Sequence, residues 1–427
     1  MSMQLWRNGP IVVALACLAG RADGQQIPLR AVFDSILKNH PSLKMTDATV
    51  RAVAGTRRSA GAFGNPMVSY QVENTPFPGG RVLPGIDREA SLTATVPLEP
   101  LFQRGPRVQQ ASAMVRAAEA DGASERARLA ALASDAYYRV AFAQAASATA
   151  HELAGWFDSV VVYTRNRLKE GIVAEVELIR AENERDRALA DATMRDADLA
   201  RARADLTAFL GDPHHVASSF TVITDSTPLT LPGVGAATQR PEVRAARERL
   251  AATSGMVSLE QAMTLRQVGA TVGLKRMVGT SSMVAGLSLP LPIFDANRGG
   301  VQRATAEREA ASWALAGIER SAAADLAGAL EVARLLTDRA TALGAGGVSG
   351  FLARAAEARR VTLGAYREGA IPLMQVIDAA RAWSDARTTW YQVLFAQHQS
   401  ILALLTAQGA DLLNTLPVTP AAGVPTP

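Results

Sequence analysis

Arg167-Leu168-Lys169-Glu170-Gly171-Ile172 and Tyr366-Arg367-Glu368-Gly369-Ala370-Ile371 decide the fold. Each ends a long run of helix-forming residues with a charged turn and a glycine. Only glycine enters the left-handed region cheaply, so each reads as a helix C-cap where the chain turns back. The residues after the two turns correspond as well: Val176, Leu178, Ile179 and Ala181 after the first, and Met374, Val376, Ile377 and Ala379 after the second, always 198 positions on. Two antiparallel helical hairpins are therefore expected, one per half. Function should lie in architecture and not in a catalytic motif.

The spacing of Leu129, Leu132, Ala136, Val140 and Ala143 predicts a helix from about Gly105 to Leu168, roughly 95 Å long. A return helix is expected from about Ala174 to Leu210, ended by Gly211-Asp212-Pro213. Upstream, Leu29, Val32, Phe33 and Ile36 mark a short helix, and a second follows the Asn39-His40-Pro41 break, from about Ser42 to Thr56. Strict alternation in Val68-Ser69-Tyr70-Gln71-Val72-Glu73 and Ser91-Leu92-Thr93-Ala94-Thr95-Val96 predicts two strands with unlike faces, joined by a Pro- and Gly-rich loop.

The plan then recurs. His40-Pro41, Ala52, Gly55, Val68 and Val72 reappear 200 positions on as Arg240-Pro241, Ala252, Gly255, Val268 and Val272. Pro97-Leu98 and Val108-Gln109 reappear 193 on as Pro290-Leu291 and Val301-Gln302. A second strand pair is expected at Val268–Leu274 and Ala285–Leu289, and a second long helix from near Gly300 to near Glu368. That helix should break at Gly344, Gly346, Gly347 and Gly350, since each interior glycine costs up to about 1 kcal/mol. A last helix, about Leu373 to Gln408, carries the heptad Ala380, Trp383, Arg387, Trp390, Leu394, Gln397, Ile401, Leu404. The expected units are a signal peptide (1–24), a first repeat (25–210, strand pair about 66–98), an equatorial connector (211–240, with a small strand at Phe220–Ile223), a second repeat (241–409, strand pair about 267–291) and a disordered Pro-rich tail (410–427).

Composition agrees with thin helices packed through small side chains: 48% of residues are apolar, only 5% aromatic. The net charge of +4 is spread as alternating acid and base, as in Glu182, Arg185, Asp186 and Arg187. That is the pattern of a solvated helix face and argues against a nucleic-acid surface. Arg7, the apolar run Ile11–Ala19 and Ala22-Asp23-Gly24 read as an export signal cut to leave Gln25. A competing route is a lipobox at Ala14-Leu15-Ala16-Cys17, which lacks the usual bulky residue three before the cysteine and leaves lipidation of Cys17 open. With cleavage after Gly24 no cysteine remains, and no later stretch reaches 18 apolar residues, so no transmembrane helix is expected. His214-His215 lacks further ligands, no Gly-rich phosphate loop follows a strand, and no nucleophile-base pattern stands out. No metal, no cofactor and no enzymatic activity are expected.

Four strands with one apolar and one polar face cannot stand alone as a sheet, because open edges in lipid leave backbone groups unpaired. Such alternation suits a membrane β-barrel. Four strands are too few to close a pore, whereas three copies of the chain supply twelve. The helices, too polar for lipid, would continue below as a soluble coiled-coil tube.

In this order and spacing the chain resembles the TolC family of trimeric outer-membrane efflux channels. The residues that carry the resemblance are the repeated strand pairs, Val96-Pro97-Leu98 leading into Arg104-Gly105-Pro106-Arg107, the two reversals, and Leu206 to Pro213 closing the first half. The Arg-Gly-x-Arg stretch is most similar to the heavy-metal, CzcC-like subgroup. The resemblance implies a mostly α fold with a β-barrel part: a homotrimer with a twelve-stranded outer-membrane barrel continued by a long periplasmic α-helical barrel. Val68, Tyr70, Val72, Leu92, Ala94, Val96, Val268, Ala270, Val272, Ala285, Leu287 and Leu289 would be the membrane strands' apolar residues. Lys169, Glu170, Gly171, Arg367, Glu368 and Gly369 would form the tip that docks a periplasmic adaptor, itself coupled to an inner-membrane pump. Some members narrow the tip with two Asp residues three apart; the matching positions are Gln375 and Asp378, so one carboxylate ring is expected as pore gate. The alternative reading is a soluble periplasmic coiled-coil adaptor or scaffold, and a third is a secreted enzyme. The cargo, whether metal ion, drug or peptide, is left open.

Overall fold

The computed structural model describes residues 26–80, 85, 87–210, 221–222, 228–233, 239–345 and 350–415. The expected signal peptide with Cys17, Gly211-Asp212-Pro213, His214-His215, Gly346 and Gly347 lie outside these residues.

β1 (Gln26–Ile27) pairs in parallel with β4 (Thr221–Val222). α1 (Leu29–Asn39) and α2 (Pro41–Gly61) follow β1. Pro41 opens α2, where its missing N–H is not needed, and the His40 ring accepts the Ser42 N–H at 3.3 Å. α2 runs past the expected end at Thr56.

β2 (Met67–Glu73) and β3 (Glu89–Pro97) form the first hairpin. The 70-residue α3 (Pro100–Lys169) comes next, about 105 Å of helix. α4 (Glu175–Leu210) returns along it. The second half holds α5 (Pro241–Ala262), β5 (Gly269–Met277), β6 (Thr280–Ser288), α6 (Arg298–Gly344), α7 (Phe351–Arg367), α8 (Leu373–Ala407) and α9 (Leu412–Thr415). The helix break falls at the expected glycines. Gly344 ends α6 against the Trp390 indole, where an added Cβ would come within 3.0 Å of the ring.

The four long strands make one antiparallel sheet in the order β2-β3-β5-β6. β5 and β6 extend well beyond Leu274 and Ala285. Val278 and Gly279, with φ of 48° and 79°, turn the chain in two residues, the geometry of a tight hairpin. Valine is a poor residue for positive φ, so no turn signal is legible there.

Two cores lie along the rods. In one, α1, β1, β4 and α9 pack on the middle of α3, burying Phe33, Ile36, Tyr137, Leu206 and Leu394. In the other, Phe157, Val161, Ala181, Tyr366, Leu373, Ile377 and Trp383 pack toward the reversals. The heptad of α8 is the seam of both. Each member is buried except Arg387, which is half-buried. Gln397 is fully buried because its amide is satisfied: it accepts the Leu229 N–H at 3.2 Å and donates to the Leu229 carbonyl at 2.7 Å.

The expectation of a disordered tail from residue 410 is wrong at its start. Leu412 and Leu413 are 2% and 0% exposed in the mid-length core, and Arg30 donates to the Leu413 carbonyl at 3.0 Å. Residues 416–427 lie outside the described chain.

Candidate functional site

The sheet sorts its side chains by face. Directly paired residues point the same way, and the register places Tyr70, Leu92, Leu274 and Met283 in one row. Val68, Ala94, Val272 and Ala285 form the next row, then Val96, Ala270 and Leu287. This face is bare: Tyr70 is 66% exposed, Met283 75% and Leu287 71%. The other face is hydroxyl-rich. Ser69 and Thr93 share a hydrogen bond of 2.8 Å, Thr95 and Thr271 one of 2.9 Å, and Lys275 pairs with Glu89. Gly273 sits on this polar face, where an added Cβ would meet the Leu92 carbonyl oxygen at 2.4 Å. The outer edges of β2 and β6 have no strand beside them among the described residues. β3, β5 and β6 have nine residues each and β2 seven; nine is the lower end of the roughly 9–11 residues with which a tilted strand crosses a bilayer.

Two expected strand residues fall elsewhere. Val268 precedes β5 and is only 9% exposed, and its carbonyl accepts the Leu98 N–H at 2.8 Å. Gln267, at φ 60°, interrupts the extended run just before it. Leu289 lies one residue past the end of β6, 52% exposed.

At the other end both reversals close with the same hydrogen-bond pair. Gly171, φ 72°, donates to the Leu168 carbonyl at 2.9 Å, and Ile172 to Arg167 at 2.9 Å. Gly369, φ 78°, donates to Tyr366 at 3.0 Å, and Ala370 to Ala365 at 2.8 Å. These are Schellman closures, which satisfy the last helical carbonyls. Lys169, Glu170, Gly171, Arg367, Glu368 and Gly369 are all exposed.

The two turns touch. Tyr163 donates its hydroxyl to the Arg367 carbonyl at 3.1 Å, and the Arg167 guanidinium lies 5.8 Å from the Tyr163 ring. Beneath them Tyr366 is 2% exposed; its hydroxyl lies 3.2 Å from that of Thr164 and donates to the Glu177 carboxylate at 3.3 Å. Burial pushes the Tyr366 phenol up, which keeps it a neutral donor. Sequence reasoning does not reach Tyr163, Thr164 and Glu177. Their only signal is an aromatic residue in the last turns before each glycine.

Further up, Glu152 binds both Arg359 and Arg387, whose guanidinium carbons lie 3.7 and 5.3 Å from the Trp383 ring. This knot ties α3, α7 and α8 together. Gln375 and Asp378 are exposed on the face of α8 opposite Val376, Ile377 and Ala380, and the stripe continues through Ala382, Asp385, Thr389 and Gln392. Asp378 has no ion pair among the described residues, and it lies in the second turn of α8. Among the described residues no helix is long and apolar enough to cross a membrane.

A profile of the family described as outer membrane efflux protein matches residues 32–212 and 235–410. The nickel-cobalt-cadmium resistance protein NccC of Alcaligenes xylosoxydans xylosoxydans is 27% identical over 315 residues, 72% of this chain and 71% of that protein. The nickel and cobalt resistance protein CnrC of Cupriavidus metallidurans is 28% identical over 306 residues, 67% of this chain and 68% of that protein. Among solved structures, CusC superposes with a TM-score of 0.74 at 18% identity, covering 90% of this chain and 92% of CusC. The outer membrane protein VceC of Vibrio cholerae gives 0.72 at 18% identity, covering 90% and 96%.

Proposed function

This chain belongs to the outer membrane efflux protein family and is a TolC-like efflux channel, and from that premise we propose that three copies join edge to edge into one twelve-stranded barrel. The observation that carries the proposal is the set of apolar rows crossing the strands, backed by a hydroxyl-rich face and flanked by two open edges. The apolar rows face lipid and the hydroxyls line the pore. β6 of one copy lies antiparallel to β2 of the next, with Leu287 opposite Val68, a register that keeps the apolar parity. The two halves are copies of one unit, as their identical Schellman closures suggest.

The helices hang into the periplasm. The exposed turns at Gly171 and Gly369 are the surface offered to an adaptor that links the channel to an inner-membrane pump. A ring of three Asp378 carboxylates, with Gln375 one turn before it, narrows the end and favours cations. The names of NccC and CnrC point to nickel, cobalt or related divalent cations as cargo. Conduction is passive.

Cys17 is the single cysteine of the sequence, so engineered pairs can be read without background. A chain carrying both Val68→Cys and Leu287→Cys should form a disulfide-linked trimer in outer-membrane fractions, resistant to a high-salt wash. A washed-out, uncrosslinked monomer refutes the proposal. Deletion of the gene should raise sensitivity to nickel and cobalt; unchanged sensitivity removes these cations as cargo.

A further inference from the structure

The second repeat packs on the first where α5 lies along α3. Gly255 of α5 comes so close that an added Cβ would meet the Gln110 backbone nitrogen at 3.0 Å and its Cα at 3.1 Å. Arg116 pairs with Glu248 at 2.8 Å, Arg249 with Asp121 at 2.5 Å, and the Gln110 amide donates to the Met256 sulfur at 3.4 Å. These contacts set an antiparallel register that runs Ala113 and Ala120 of α3 past Ala252 and Ala245 of α5. All four alanines are buried. Small side chains on both helices let the two rods approach closely.

The repeat makes a second copy of each half of this seam, and both copies are bare. α2 corresponds to α5 at the offset of 200, and α6 to α3 at the offset of 193. Gly55, the counterpart of Gly255, has nothing within 4 Å of an added Cβ. Ala48 and Ala52 are exposed, and Met45, in the place of Ala245, is 64% exposed. On α6, Ala306 and Ala310 stand for Ala113 and Ala117 and are exposed. Trp313, in the place of Ala120, is 66% exposed. Carrying the register over by the two offsets puts Gly55 opposite Arg303, Ala48 opposite Ala310 and Met45 opposite Trp313. The same step brings Arg51, which has no ion pair among the described residues, opposite Glu307, so the charges flanking the stripe are complementary.

We propose that the bare face of α6 takes the bare face of α2 from a second copy of this chain, in the register that α3 takes on α5, with Trp313 against Met45 as its anchor. A thioether against an indole is a favourable contact, and tryptophan is the side chain that most often dominates an interface. The two faces differ, so the contact is head to tail and a closed ring follows from rotation. The proposal rests on the trimeric reading and names the helical surfaces that join its copies. Because Trp313 and Met45 stand where the internal seam has two alanines, the seam between copies is wider at that level than the seam within one chain.

The test uses the full-length protein in detergent, with cysteines placed at exposed helix positions. Ala48→Cys combined with Ala310→Cys should form a disulfide between copies under mild oxidation. Ala48→Cys combined with Gly317→Cys, about 10 Å further along α6, should not. An added Cβ at Gly317 meets open space, so the control folds as the parent does. Trp313→Ala should make the assembled copies separate at least tenfold faster on heating. Adding Met45→Ala should speed separation little further, because the two changes remove one contact. Linking through the Gly317 pair as readily as through the Ala310 pair overturns the register, and an unchanged separation rate in Trp313→Ala overturns the anchor. A trimer by mass that links through neither pair overturns the proposal and leaves the channel reading standing. A two-copy product linked through Ala48 and Ala310 upholds the helical seam and refutes three-fold closure.

Discussion

Arg167 donates through Nη1 to the Tyr366 carbonyl at 3.1 Å while its guanidinium lies 5.4 Å from the Tyr366 ring. One side chain thus joins the end of the first helical hairpin to the end of the second. The carbonyl it binds also accepts the Gly369 N–H, so the arginine reads the backbone of the opposite turn and not merely a neighbouring charge. Replacing Arg167 by Ala should loosen the tip by about 1–2 kcal/mol. Hydrogen exchange should speed up at residues 365–371 and stay unchanged in the sheet. Equal protection in both proteins would show that the contact holds nothing.

Gly273→Val should block assembly. The added Cβ meets the Leu92 carbonyl oxygen at 2.4 Å and the Thr93 Cα at 2.8 Å, both backbone atoms that cannot swing aside. The variant should be lost from the outer-membrane fraction, whereas Gly286→Ala, with open space around its Cβ, should be tolerated.

Among the described residues Glu152 is the anion that touches both Arg359 and Arg387. Glu152→Gln leaves two guanidinium groups against one indole without a counter-charge. The half-exposed setting limits the loss to about 1–2 kcal/mol. Thermal melting should fall by a few degrees, and the further change Arg387→Gln should recover part of it. A double variant less stable than the single one would refute the account.

Asp196 joins α4 to α3. It accepts the Ser147 hydroxyl at 2.6 Å and the His151 ring nitrogen at 2.8 Å, and these bonds hold its carboxyl below the usual range. A lowered folded value means the stabilisation is complete above the unfolded value, about 3.9, and is lost as pH falls through the folded one. Melting of the parent should exceed that of Asp196→Asn from pH 5 upward, and the two curves should converge below about pH 3.9. A gap that widens in acid would contradict the sign.

Some of this is legible along the chain and some is not, for physical reasons. Gly171 and Gly369 announce the reversals because positive φ is nearly reserved for glycine. The alternation through Val68 and Tyr70 announces a two-faced strand, because the pleat has a period of two. Val278 hides the tight turn of the second hairpin, and with it the strand ends at Met277 and Thr280, by taking a conformation its side chain disfavours. Tyr163, Thr164 and Glu177 are invisible because what matters about them is contact with a segment some two hundred residues away. Leu412 and Leu413 are masked by the prolines that come soon after them.

The two unpaired margins of the sheet bear on how the protein is made. On the proposed trimeric reading, each newly delivered polypeptide carries, until it meets its sisters, a greasy plate with ragged borders through a watery compartment, and any other polypeptide in the same condition can adhere to it. Production must therefore stay slow relative to partner encounter, or be escorted by a holding chaperone. Forced overproduction should yield insoluble β-rich deposits seeded by these same strands.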